Sequence, residues 1–258
     1  MNMTDFTMDF FSLKGQTAIV TGGNSGLGRA FSLALAKAGA NLFIPSLTED
    51  DGTTRELIES EGVQMEFLQV DITEDGVAKR VIDGCMESMG SIDIVVNSAG
   101  LNKVAAFEDF GREKWDPMMQ VNLTAAFEIS HEAAKQMVPK RRGKIINVCS
   151  MFSFHGGQGS PAYAASKHGL AGLTKAYCDE LAPYNIQVNG IAPGYYATDL
   201  TRETRKDPKA NEKVLEHTPA NRWGEPVDLM GATVFLASQA SDYVNGHILA
   251  VDGGYLVR

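Results

Sequence analysis

Residues 17–28 read TAIVTGGNSGLG. A short apolar run, Thr17 to Thr21, enters a cluster of glycines, and a helical pattern from Gly28 to Ala38 leaves it. A strand that turns tightly into a helix lets backbone N–H groups approach a pyrophosphate at the helix N-terminus. Gly22, Gly26 and Gly28 supply the close approach and the close strand–helix packing, with Asn24, Ser25 and Leu27 between them. The spacing is G-x-x-x-G-x-G, not the commoner G-x-G-x-x-G.

The same rhythm continues outward. Further strand candidates are Leu42 to Ile44, Met65 to Val70, Ile92 to Asn97, Lys144 to Val148, Gln187 to Ile191 and Ile248 to Val251. Most are rich in Val and Ile and lack polar alternation, as suits parallel strands covered on both faces. Helical stretches lie between them: Gly76 to Met89, Trp115 to Val138 and Pro161 to Leu181. Strand–helix repetition predicts an α/β fold, a doubly wound Rossmann-type sheet of seven parallel strands. Residues 1–12 read as an N-terminal arm and 13–258 as one domain. The polar, helical segment 198–220 interrupts the rhythm and reads as a lid over a site.

The 258 residues carry 23 Lys+Arg against 32 Asp+Glu, a net charge of 23 − 32 = −9, which argues against nucleic acid as a partner. Cys85, Cys149 and Cys178 are odd in number and lack a C-x-x-C spacing, so neither a disulfide framework nor a thiolate zinc site is expected. His131, His168, His217 and His247 fall in no metal-binding spacing, and no metal is expected. No apolar run approaches the roughly 20 residues of a membrane span, and the acidic MNMTDFTMDFFSLKG start is unlike a secretory signal. These features predict a cytoplasmic protein with no membrane partner.

Where the second strand ends, an acid marks a preference for NAD and a cation one for NADP. Here that end reads Ile44-Pro45-Ser46-Leu47, so Ser46 stands at the acid's place. Residues 45–54 hold no Lys or Arg, and Glu49, Asp50 and Asp51 follow closely. Repulsion of a 2′-phosphate favours NAD(H), with NADP(H) left open.

Residues 163–167 read YAASK, which puts Tyr163 and Lys167 on one helix face. An ammonium beside a phenol lowers its pKa from about 10, toward the range of general acid–base work. Ser150 ends a predicted strand 163 − 150 = 13 residues upstream. This trio and the glycine turn would coincide by chance roughly 3 times in 10,000.

With these motifs the chain resembles the short-chain dehydrogenase/reductase family from about Leu13 to its C-terminus. Asp71 after the third strand, NSAG at 97–100, Asn122, PGYYAT at 193–198 and VDGG at 251–254 extend the likeness. Ser98 departs from it, since the family usually repeats Asn there. The resemblance implies hydride transfer between a nicotinamide and a carbinol or carbonyl carbon, with Asn122, Ser150, Tyr163 and Lys167 as the catalytic tetrad. It implies that Ser150 polarises the substrate oxygen, Tyr163 exchanges the proton, Lys167 binds the ribose and Asn122 holds a water. Asp71 and Ile72 would border the adenine, with Ser46 and Leu47 nearby. Asn97, Ala99 and Gly100 would line the ribose side, and Pro193, Gly194, Tyr196 and Thr198 the carboxamide end. Members of the family are often tetramers, so a homotetramer is expected.

CSMFSFHGG at 149–157 and PANRWGEPVDLMG at 219–231 resemble its bacterial sugar-acid branch, which implies a keto-deoxy sugar acid, with gluconate close behind. The same-fold rival is a 3-oxoacyl-thioester or other carbonyl reductase. A nucleotide-binding protein without catalysis is disfavoured by the intact Ser150, Tyr163 and Lys167. Candidate substrate contacts at family-typical places are Asn102, Lys103, Phe154, His155, Gln158, Tyr195, Arg202, Arg205 and Arg222. A cation in a dehydrated pocket would bind the carboxylate, best as a bidentate arginine.

Overall fold

A computed structural model describes residues 3–258; the first two residues of the expected arm lie outside it. Seven parallel strands form one sheet in the order β3-β2-β1-β4-β5-β6-β7. They are β1 (Thr17–Val20), β2 (Asn41–Ser46), β3 (Met65–Gln69), β4 (Ile94–Asn97), β5 (Gly143–Val148), β6 (Ile186–Pro193) and β7 (Ile248–Val251). The strand order reverses between β1 and β4, which opens a crevice at the carboxyl ends of these two strands. The second strand runs on to Ser46 through Pro45, whose carbonyl accepts from the Gly22 N–H at 2.8 Å.

Alternate residues of each strand feed two cores. On one face, Ala18, Val20, Leu42, Ile44, Val96 and Ile146 pack against α1 (Gly26–Lys37), α2 (Thr53–Glu59) and α9 (Met230–Ala237) through Phe31, Leu35, Ile58 and Leu236. On the other, Ile19, Phe43, Val95, Ile145 and Val188 meet α3 (Val77–Met89), α5 (Ala125–Lys140) and α6 (Pro161–Leu181). The Val/Ile-rich strands are apolar on both sides because both sides are covered.

Pro161 stands in the first turn of α6, where its missing N–H costs nothing, and that helix matches its expected bounds. The expected helix from Trp115 to Val138 is more complex. It begins as α4 (Arg112–Met119), passes through a π turn (Gln120–Thr124) and continues as α5. In the π turn the Ala125 N–H reaches the Gln120 carbonyl, one residue further than an α bond, and Asn122 sits inside it. Two helices separated at Asp207, α7 (Arg202–Lys206) and α8 (Pro208–His217), occupy most of 198–220. Asp207 caps α8 by accepting from the Lys209 N–H at 3.0 Å. Among the described residues, no helix is long and apolar enough to cross a membrane.

Candidate active site

The crevice floor is built by the glycine turn. A Cβ on Gly28 would lie 2.1 Å from the Gly22 carbonyl oxygen, so no side chain fits where α1 meets β1. Gly22 has φ +64 and faces the Ala99 backbone, where a Cβ would stand 3.4 Å from its Cα. Gly26 has φ +50 with open space beyond it, so the backbone is exposed to whatever occupies the turn. Ser25 at the N-cap makes no side-chain bond to the first turn of α1, which leaves those N–H groups for an anion. Asn24 is buried and ties the turn to the next loop through Thr48 O (2.9 Å), while its Oδ1 has no partner. Thr21, which the sequence reading missed, accepts from the Ser98 and Ala99 N–H groups at 3.0 and 2.9 Å and locks the two sides of the crevice together.

Toward the adenine end, Ser46 is buried and Leu47 exposed. The nearest cation, Arg29, donates to the Asn24 carbonyl (2.7 Å) and to Thr54 (2.9 Å), and lies 4.0 Å from Asp51. Asp71 accepts from the Thr73 hydroxyl and N–H, and these bonds hold its carboxyl below the usual carboxylate range. Ile72 is buried in the core behind it.

Ser150 follows β5 and caps a short 3-10 turn, accepting from the Phe152 N–H at 3.2 Å. Ser153 fastens this turn to α6: its hydroxyl accepts from the Ser150 N–H (3.3 Å) and donates to the Lys167 carbonyl (2.7 Å). The Ser150 hydroxyl lies beside the Tyr163 phenol and favours its ionised form. Lys167 is 4% exposed; its Nζ donates to Val148 O at 2.7 Å and stands 5.6 Å from the Tyr163 ring centroid. Burial drops the Lys167 pKa to about 8. Burial also pushes the Tyr163 phenol up, against the opposing pull of Ser150. The lowered phenol expected from the Tyr–Lys spacing is therefore absent in the free chain: the ammonium bonds a carbonyl, not the phenol.

Asn122 is 1% exposed, and its amide clamps Leu101 in both directions, accepting from the N–H and donating to the carbonyl at 2.9 Å each. A third bond runs to Ser166 at 3.2 Å. A Cβ on Gly100 would lie in tight contact with Asn122 Oδ1 at 3.3 Å and in ordinary contact with Lys167 Nζ at 3.7 Å. The Asn97 side chain donates to Ser130 and Asn147 at 2.8 Å each, a network extended by Asn147 to Thr174, while its buried Oδ1 has no partner. Tyr196 is buried in the core, donates to Val251 O at 2.9 Å and leaves no space at Gly224. Gly194 donates to Val251 O and presses on Asp252, which fixes Pro193 at the crevice edge. Thr198 caps the turn into the helical segment and accepts from Arg205 at 2.9 Å.

The opposite wall is aromatic. Tyr163, Phe152, His155, Tyr255 and Tyr195 form a run of rings with successive centroids 5.7, 5.3, 6.0 and 5.4 Å apart. His155 is pinned through Nδ1 to the Gly156 carbonyl (2.9 Å), whereas its buried Nε2 has no partner. Since a carbonyl only accepts, Nδ1 carries a proton, and Nε2 is left free for a ligand. Trp223 and His217 join the run at Tyr195 and Tyr255. Tyr255 and His217 escaped the sequence reading. The VDGGYLVR stretch carried Tyr255 only as family likeness, with nothing to say that it packs on residue 155.

Of the other candidates, Asn102 accepts from the Ser160 hydroxyl. Lys103, Phe154 and Gln158 are exposed at the rim. Arg202 pairs with Asp199, and Arg222 makes a two-pronged pair with Asp228 at 2.6 and 3.0 Å. Neither is the free cation expected. Arg205 bonds Thr198 and keeps a buried, unpartnered Nε.

A nicotinamide dinucleotide suits this crevice: the open glycine turn, the orphan Asn24 Oδ1 and the side-chain-free Gly100 beside Lys167 leave room and partners along its length. A family model described as enoyl-(acyl carrier protein) reductase matches residues 22–256. An Escherichia coli protein named "Uncharacterized oxidoreductase YgcW" is 66% identical over 257 residues, covering 100% of this chain and 98% of its own. The 2-dehydro-3-deoxy-D-gluconate 5-dehydrogenase of Bacillus subtilis is 47% identical over 250 residues, covering 97% and 98%. A crystal structure of a gluconate 5-dehydrogenase from Burkholderia cenocepacia, in complex with NADP and tartrate, superposes with a TM-score of 0.92 at 38% identity, covering 97% and 98%.

Proposed function

The chain belongs to the short-chain dehydrogenase/reductase family, an NAD(P)-dependent oxidoreductase fold acting on alcohol groups, and on that premise we propose that it oxidises and reduces a sugar acid. The substrate we assign is 2-dehydro-3-deoxy-D-gluconate, at its 5-hydroxyl, with NAD(H). The observation that carries the reading is the Ser150–Tyr163–Lys167 cluster at the crevice, beside a wall that offers the vacant Nε2 of His155. A dehydrogenase named for that substrate at 47% identity supports the choice, with a 5-keto-D-gluconate 5-reductase at 40% and a gluconate 5-dehydrogenase at 38%.

Bound nicotinamide supplies the hydride donor or acceptor. The protein's residues handle the oxygen and its proton. Tyr163 releases its phenolic proton to the substrate oxygen in reduction and takes it back in oxidation. Ser150, donating to the same oxygen, stabilises the charge that develops there. Lys167 spends one of its three donors on Val148 O and has two left, one for the cofactor ribose and one to replenish the Tyr163 proton. Asn122 acts at one remove, holding Leu101 and hence the loop against Lys167. Within 198–220 the two short helices serve as the lid. On α5 and α6, the ring cluster of Phe127, His131 and Tyr177 is the face by which copies would join into a tetramer.

The NAD(H) assignment is supported by Ser46, by Glu49, Asp50 and Asp51, and by an Arg29 already committed to Asn24, Thr54 and Asp51. The deciding experiment is steady-state turnover with NAD(H) and NADP(H) in parallel. Its substrates are 2-dehydro-3-deoxy-D-gluconate, gluconate, 5-ketogluconate and a 3-oxoacyl thioester. Efficient turnover of the deoxy acid is expected. Turnover of gluconate and 5-ketogluconate alone moves the chain to the neighbouring activity, and turnover of the thioester alone, with NADPH, overturns the reading.

A further inference from the structure

A sugar acid brings a carboxylate, and the arginines nominated for it are mostly committed to acids of their own. Free cationic groups lie elsewhere. Between α8 and the C-terminal turn is a shallow, open cavity of about 410 Å³ lined by Lys213, Glu216, His217, Tyr255 and Arg258. Lys213 forms no ion pair among the described residues, and one guanidinium N–H of Arg258 donates to the Glu216 carbonyl at 2.7 Å. Two cations thus face one carboxylate, on a chain whose net charge is −9.

The cavity is joined to the reaction site by the aromatic wall. Tyr255 stands between them, 4.2 Å from the His217 ring on the cavity side and 6.0 Å from the His155 ring on the other. The Tyr195 ring packs on Tyr255 at 5.4 Å, and burial pushes the Tyr195 phenol up to about 12. The tail and α8 are fastened as one piece. Besides the Arg258 bond, the Ala220 N–H donates to Gly253 O at 3.0 Å, and Gly254, at φ +88, packs on Pro219.

We propose that this cavity is an anion-binding antechamber, in which Lys213 and Arg258 capture the carboxylate of the incoming substrate before it passes Tyr255 toward Tyr163. The inference rests on the sugar-acid reading above. Cations at the rim of a site on an acidic protein concentrate anions locally and act on capture rather than on the chemical step. They therefore belong in kcat/KM, not in kcat.

The test uses Lys213→Gln and the double variant Lys213→Gln/Arg258→Gln in the full-length protein. Lys213→Gln is the cleaner, because it keeps a good helix former in α8 and breaks no internal bond. In low salt, kcat/KM for the sugar acid is expected to fall about threefold for Lys213→Gln and about tenfold for the double variant. The kcat should hold, and the decline of kcat/KM with added salt should flatten. Unchanged kcat/KM with an unchanged salt slope overturns the antechamber and leaves the sugar-acid reading intact. If the wild type turns over no sugar acid, the probe is tartrate binding by titration calorimetry. Weaker tartrate binding by the variants then supports an anion site independent of that reading, and equal binding overturns it.

Discussion

Strand β5 has a buried lysine amine at each end, and the two are opposites. At its start, Lys144 is 8% exposed, and its Nζ meets Asp242 at 2.7 Å and Ser241 at 3.3 Å. Burial pulls its pKa down and the Asp242 carboxylate pulls it back up. At the strand's far end, Lys167 reaches Val148 O with no carboxylate beside it, and its pKa falls to about 8. The first is a compensated charge that ties β5 to the turn before β7. The second is a buried amine left without a counter-charge, a state that a fold tolerates where chemistry needs a tunable proton. Burial is common to both; only the missing partner distinguishes the reactive end of the sheet.

That contrast can be broken or sharpened by substitution. Lys167→Met should lower kcat about 10³-fold, measured as NADH formation at saturating substrate. Lys144→Met should leave kcat within about twofold. Equal losses in the two variants would erase the distinction. Ser150→Ala should cost about 10²-fold in kcat, since it removes one donor to the developing oxyanion and leaves cofactor binding intact by fluorescence titration.

At the other end, Asp242→Asn should destabilise the fold by about 2 kcal/mol in urea denaturation, because it strands a buried ammonium, while activity persists. A smaller effect separates the lysines by pH. Lys167 has a folded pKa of about 8 against an ordinary 10.5. Between those values the unfolded chain holds a proton that the folded chain has released. Lys167 therefore adds stability as pH rises through that window, and the burial penalty is largest below it. The wild type minus Lys167→Met difference should rise between pH 8 and 10.5 by on the order of 1–3 kcal/mol. A flat difference would mean that the amine is not desolvated.

The sheet was legible because its signals are local. Strand β1, the glycine turn and α1 lie within 21 consecutive residues, and the apolar runs announced a sheet covered on both faces. YAASK and Ser150 were legible for the same reason: one helix turn and one strand end bring them together. What escaped was set by distant packing. Tyr255 meets His217 and His155 across 38 and 100 residues, with no periodicity to betray it. Asn97 reads as a crevice residue from its motif, which says nothing of its amide bonds to Ser130 and Asn147. The π turn at Asn122 adds one residue to a helix whose hydrophobic spacing looks continuous. Arg202 and Arg222 read as free cations in the sequence but are paired with Asp199 and Asp228 in the fold.

The most direct measurement of the central claim is turnover by Tyr163→Phe, with cofactor affinity measured on the same sample. Removing one oxygen takes away the group assigned to proton exchange and leaves the ring that packs on Phe152 at 5.7 Å. The account predicts NADH binding close to wild type and turnover of 2-dehydro-3-deoxy-D-gluconate reduced by about 10³-fold or more. Turnover near the wild-type rate would contradict it, and would move the proton chemistry to a residue outside the Ser150–Tyr163–Lys167 cluster.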